Sequence, residues 1–174
     1  MTEKRDPHAV HSVLREKIVE RVFTGDLLRH LWRLGRYDVE VLYSDFDAYG
    51  YDIVVSVGKT LRHVQLKAGL RASPVRVALS TRLAEKPSAC AIWIAVDRTL
   101  AIQGYWWFGN QPGLPIPSME GFPFANRATP NKDGLRPVRS AHKIVPDKDW
   151  VRIDRLEDIA ARLFGEDVAS PPCG

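Results

Sequence analysis

Two alternating stretches, Tyr51 to Val57 and Thr60 to Ala68, are separated only by Gly58 and Lys59. A two-residue connection with glycine first suits a type II′ turn, so the pair predicts an antiparallel hairpin whose loop length sets its register. Val57 then faces Thr60, Val55 faces Arg62, Asp52 faces Gln65 and Gly50 faces Lys67. Side chains alternate along a strand, so one face carries Ile53, Val55, Val57, Val64 and Leu66 and is apolar enough for a core. The other carries Asp52, Val54, Ser56, His63, Gln65 and Lys67. A carboxylate, an amide and an ammonium thus meet at the open end of one hairpin, with His63 a step nearer the turn. Two explanations stand beside each other. One is a solvated sheet face with an Asp52–Lys67 ion pair of little energetic worth; the other is a site.

The flanking sequence bears on that choice. From Ser12 to Leu34, the residues Val19, Val22, Phe23, Leu27, Leu31 and Leu34 recur at spacings of three and four, the period of an amphipathic helix that Gly35 ends. Asp26 falls within this stripe, with His30 a turn further on. An unpaired carboxylate there is costly to bury, so it calls for a cation, a metal or a hydrogen-bonding partner from the sheet. Asp52, Gln65 and Lys67 are the expected partners; the alternative is a helix-edge residue bonded to Arg29.

Asp38 to Tyr43 reads as a further strand, Ala89 to Val96 as a strand covered on both faces, and Gly104 to Phe108 as its neighbour. Val75 to Glu85 is left open between strand and helix. Residues 110–137 hold six of the twelve prolines and read as a long loop. A last strand is expected within His142 to Ile153. Asp154 and Glu157 resemble a capping box opening a helix that runs to Phe164 and stops at Gly165. The expectation is one α/β domain over residues 1–167, a mixed central sheet flanked by helices, with a disordered tail at 168–174.

Composition narrows the setting. At 174 residues and 45% hydrophobic, the chain suffices for one core. Cys90 and Cys173 form neither a disulfide framework nor a zinc-site spacing, and no run approaches the roughly 20 apolar residues of a membrane span. Met1 to Pro7 is charged, with no following apolar stretch of signal length. A soluble cytoplasmic protein without a membrane partner is expected. The net charge of +4 is compatible with nucleic acid without demanding it.

The order of a helix with an acid, a strand, a GYD-containing strand, a tight turn and a strand reading VQLKAG resembles the PD-(D/E)xK nuclease superfamily, in its QxK form. The resemblance spans roughly Arg15 to Gly69, with ACAIWIAV placed plausibly afterwards. Asp52 matches the first acid, Gln65 and Lys67 the (D/E)xK pair, and Asp26, or else Glu20, the helix acid. The resemblance implies a restriction-endonuclease-like fold and Mg²⁺- (or Mn²⁺-) dependent hydrolysis of phosphodiester bonds in DNA or RNA. Asp52, Gln65, Asp26 and the Leu66 backbone carbonyl would supply hard oxygen ligands, while Lys67 would orient a water or neutralise developing charge. Enzymes of this fold that cut both strands often act as dimers, so a homodimer is an expected assembly. Gln65 in place of an acid, and Asp26 in place of the usual Glu, make an inactive domain that binds nucleic acid or a partner protein the alternative.

Other residues are ancillary. Asp45 and Asp47 suit a turn before the strand. His63, Arg71, Arg76, Arg139 and Lys143 are candidate nucleic-acid contacts, with Arg82 and Arg136 on the same track. Tyr105 to Phe108 are core aromatics before they are base-stacking ones. Walker, GxSxG and HExxH motifs are absent.

Overall fold

A computed structural model of the chain describes residues 6–46, 48–127, 129–132 and 134–169. The helices are α1 (Pro7–Val10), α2 (Ser12–Arg33), α3 (Leu156–Phe164) and α4 (Glu166–Ala169). The strands are β1 (Val39–Tyr43), β2 (Ile53–Val57), β3 (Thr60–Gly69), β4 (Val77–Ser80), β5 (Ala89–Val96), β6 (Ile102–Gly109), β7 (Phe124–Asn126), β8 (Val138–Val145) and β9 (Val151–Ile153). The result is a mixed α/β fold with a mostly antiparallel six-stranded sheet in the order β1-β2-β3-β5-β6-β9. Among the described residues only β3 and β5 run parallel. A parallel pair needs a crossover, and β4 with the 3₁₀ turn Thr81–Glu85 provides it. The stretch left open between strand and helix is therefore both in turn.

The hairpin register agrees with the two-residue loop, from Val57↔Thr60 to Ile53↔Val64. Gly58 has φ +57°, and Lys59 is not among the residues with positive φ, which is the II′ pattern. Val55, Val57, Val64 and Leu66 face α2 and α3, where they pack with Phe23, Leu27, Ile92, Ile94, Ile159 and Leu163. Arg62 falls on this face too and is fully buried, held by Ser88 Oγ (3.3 Å) and the Asn110 carbonyl (3.0 Å), with its guanidinium over Trp107.

The opposite face is not open to solvent across the sheet. A second sheet, β4-β8-β7, covers Ala89, Ala91, Trp93 and Phe108. This explains why every residue of β5 is buried. The region expected to hold a last strand holds two, β8 and β9, separated by the turn Asp147–Asp149. The expected capping box does not form. Asp154 bonds Arg152 instead (2.8 Å), and Arg155 occupies the cap position without a side-chain bond. Gly165, at φ +92°, ends α3 as expected. Val168, expected in the tail, lies in α4, and its carbonyl accepts from Arg36 Nε at 3.3 Å. Residues 170–174, including Cys173, fall outside the described residues. No helix of the described residues is long and apolar enough to cross a membrane.

The phase of α2 differs from the expected stripe. Its buried residues are Val19, Glu20, Phe23, Thr24, Leu27 and Leu31, while Val22 is exposed. At 100° per residue, Glu20 falls about 20° from Leu27, whereas Asp26 falls about 100° away. The helix acid that enters the core side is thus Glu20. Asp26 sits on the flank, ion-paired with Arg29, close enough to Tyr105 that its charge helps burial push the phenol up to about 12.

Candidate active site

Beyond Val64 the hairpin ladder ends while β3 continues along β5. The Asp52 N–H donates to the Val64 carbonyl (2.9 Å). One residue pair further on, β2 no longer accompanies β3, because Gly50 takes φ +82° and turns the chain away. The Asp52 side chain fills the vacated position, its Oδ2 accepting the Leu66 N–H at 2.6 Å. A Cβ on Gly50 would stand 2.3 Å from Ser80 Cβ, so only glycine lets β4 approach this turn.

Above Asp52 lies the first half of α2. Glu20, Asp52, Leu66 and Lys67, with Lys17 and Ile94, line a partly open cavity of about 80 Å³. That is room for a small ion with a few waters. Glu20 is 5% exposed; its Oε2 accepts from Lys17 Nζ at 2.8 Å, while Oε1 is buried without a hydrogen bond and has only Arg21 Nε at 3.9 Å. Burial pushes the Asp52 carboxyl above the ordinary range and the Glu20 charge adds to this. The Leu66 N–H, Lys67 and Lys17 oppose it. The sheet therefore carries a carboxylate that its surroundings, taken without a further cation, hold at a cost.

Not every residue expected at the site lines this cavity. Gln65 is buried on the other side of β3, its Nε2 3.5 Å from where a Gly50 Cβ would stand and its Oε1 without a hydrogen bond. Asp26 stands apart with Arg29. His63 lies on the Gln65 side, with Nδ1 2.9 Å from the Pro87 carbonyl and its ring against Tyr51; burial and Lys86 hold its pKa below the usual histidine value. Arg71 and Arg76 are exposed between β3 and β4. Arg139 and Lys143 belong to β8. Lys143 is spent internally on the Phe122 carbonyl (2.7 Å) and the Phe124 ring, and Arg139 meets His142 at 2.8 Å. Tyr105, Trp107 and Phe108 are core residues. Asp45 is exposed in the bend after β1, and Asp47 lies outside the described residues.

Lys17 is the residue that sequence reasoning missed. Its signal was the i, i+3 spacing to Glu20 at the start of the true buried stripe. Among the described residues no group of three or more His, Cys, Asp or Glu side chains is placed to hold a metal. The carboxylates that line the cavity are Glu16, Glu20 and Asp52, with main-chain carbonyls beside them. No protein-family model, curated protein or solved structure matches this chain.

Proposed function

We propose that this chain is a metal-dependent phosphodiesterase of restriction-endonuclease-like fold, hydrolysing a nucleic-acid backbone at the cavity between α2 and the β2–β3 hairpin. The observation that carries the reading is the meeting of Glu20, Asp52 and Lys67 around one cavity. There a carboxylate oxygen of Glu20 is buried without a hydrogen bond and burial opposes the ionisation of Asp52. Charges arranged in this way serve poorly as a structural ion pair and well as a site that takes up a cation.

The donors fit a hard dication such as Mg²⁺ or Mn²⁺: Asp52 and Glu20 carboxylate oxygens would hold it, with the Leu66 carbonyl as a further candidate. When bound, it would lower the pKa of a water and offset charge on the phosphate. The Leu66 N–H fixes the Asp52 carboxylate in one orientation. Lys67 offers its ammonium to the phosphate oxygens and to the attacking water. In the reaction the water oxygen bonds to phosphorus as the ester P–O bond breaks, and the departing oxygen gains a proton. Lys17 neutralises part of the Glu20 charge until substrate arrives.

Purified protein with Mg²⁺ or Mn²⁺ is expected to nick or cut DNA or RNA, and Lys67→Ala to abolish this; cleavage that persists in Lys67→Ala sinks the assignment. A second reading, binding without cleavage, is favoured by two observations: Gln65 does not line the cavity, and Lys17 already pairs with Glu20. It predicts binding that survives Asp52→Ala and no cleavage under any of these conditions.

A further inference from the structure

The charge of the molecule is not spread evenly. Residues 126–143 contain five cations against one acid, an excess equal to the whole chain's net charge of +4. Lys143 belongs to the base of the β7–β8 hairpin, where it pairs with Phe124; Arg127, Lys132, Arg136 and Arg139 lie beyond that base. Past Ala125↔Arg139 and Asn126↔Val138, the pairing continues with the Arg127 N–H on the Pro137 carbonyl at 2.8 Å. The tip is closed by the Leu135 N–H on Asn131 Oδ1 (2.9 Å) and the Asn131 N–H on the Leu135 carbonyl (2.7 Å). The two strands thus form a ribbon whose cations Arg127, Lys132, Arg136 and Arg139 are all exposed. Among the described residues none of the four pairs with an acid.

The ribbon's base reaches the Gln65 side of β3, across the sheet from the cavity under α2. In the second sheet His142 of β8 pairs with Ser80 of β4, and Ser80 abuts Gly50 beside Gln65. From Arg139 to Leu135 the chain takes four residue steps, at most about 13 Å at the usual strand rise. Like charges gathered on one ribbon repel one another, and a polyanion relieves that repulsion by releasing its counterions. A two-stranded ribbon fits the roughly 12 Å major groove of B-form DNA, whereas the deep, narrow major groove of A-form RNA excludes it.

We propose that the β7–β8 ribbon grips duplex DNA, with Arg127, Arg136 and Arg139 as its phosphate and groove contacts. The choice of a nucleic-acid partner rests on the function proposed above; the assignment of the ribbon as the grip rests on its charge and shape.

The test measures binding of a fluorescent DNA duplex by anisotropy between about 50 and 200 mM KCl, with Lys67→Ala as the parent to exclude cleavage. Arg127→Ala/Arg136→Ala/Arg139→Ala is expected to lower affinity at least about tenfold. It should also flatten the log K against log[salt] slope by about 2 to 3, close to 0.9 for each phosphate no longer neutralised. A control of equal charge loss, Arg29→Ala/Arg98→Ala/Arg152→Ala, should leave both nearly unchanged; matching circular dichroism melts confirm that the variants fold. An A-form RNA duplex of the same sequence should bind the parent more weakly. The proposal is overturned if the control weakens binding as much as the ribbon variant, if the ribbon variant binds like its parent, or if the RNA duplex binds equally well. Ribbon-dependent binding in a protein that never cuts would refute the cleavage assignment and leave the ribbon; cleavage with ribbon-independent binding would do the reverse.

Discussion

A dication that binds the cavity must raise the melting temperature, and the residues on which that rise depends distinguish Glu20 from Asp26. A ligand bound only by the folded state adds RT ln(1 + [L]/Kd), so at roughly ten times Kd the gain is about 1.4 kcal/mol. For a chain of this size each kcal/mol corresponds to about 2–4 °C, so the expected rise is about 3–6 °C. Glu20 and Asp52 line the cavity, and Asp26 does not. Asp52→Asn should therefore abolish the rise, Glu20→Gln should shrink it, and Asp26→Asn should leave it whole. The baselines of the two helix variants remain comparable to wild type. Asp26 gives up only an exposed helical pair with Arg29, worth about 0.3–0.5 kcal/mol. Glu20 gives up a pair whose Lys17 partner is more than half exposed, worth less than about 1 kcal/mol, and sheds its repulsion of Asp52 at the same time. Differential scanning fluorimetry with and without millimolar Mg²⁺ or Mn²⁺ reads all four proteins. A rise lost in Asp26→Asn and kept in Glu20→Gln would refute the placement of the helix acid. No rise in the wild type would refute the dication reading itself.

The same site makes a pH prediction whose sign follows from the raised pKa of Asp52. Below the ordinary carboxylate range the group is protonated in both states and costs nothing; as pH climbs through the raised value, the folded state must ionise a buried carboxyl, and stability is lost. Asp52→Asn, measured without divalent metal, should thus melt higher than wild type at pH 7, with the difference fading towards pH 3; a lower melting temperature at pH 7 would contradict the burial cost. Gly50→Ala should be among the most damaging small substitutions. The left-handed backbone costs roughly 1–2 kcal/mol, and the contact with Ser80 adds to it. Urea unfolding that shows a loss under about 1 kcal/mol would mean that β4 can withdraw from the turn.

The hairpin was legible because it rests on local rules. A glycine-first two-residue turn fixes its register from Val57↔Thr60 to Ile53↔Val64, but not beyond, where Asp52 and Gly50 do not pair with Gln65 and Lys67 as expected. The all-apolar β5 was legible for a related reason: a run without polar residues has no face to offer solvent. What covered it was not, because β4 and β7 are short, and β8 carries Arg139, Ser140 and Ala141 exposed before reaching buried Ile144 and Val145. Strands that are half ribbon and half core dilute the alternation that would announce them. The absence of a capping box at α3 has the same character, since the spacing of Asp154 and Glu157 is necessary for the motif, while the nearby Arg152 competes for the carboxylate.

The helix acid turned on phase. Val22 and Phe23 are adjacent and both apolar, so a stripe can be drawn through either, and choosing Val22 carries Asp26 inward with it. Choosing Phe23 with Thr24 carries Glu20 inward instead. Thr24 holds the decision: its hydroxyl bonds the Glu20 carbonyl at 2.8 Å, which lets a polar side chain lie in the core without an unmet hydrogen bond. Val22 loses nothing decisive by facing water, because α2 presents apolar residues on its outer side as well, among them Leu14, Ile18, Leu28 and Trp32. With apolar residues on both sides of a helix, hydrophobicity alone no longer selects the buried face. The selection falls to the polar residues, according to which of them can be satisfied inside. Glu20 is met there by Lys17 on one oxygen and lines the cavity with Asp52, which places a second carboxylate over the end of the hairpin.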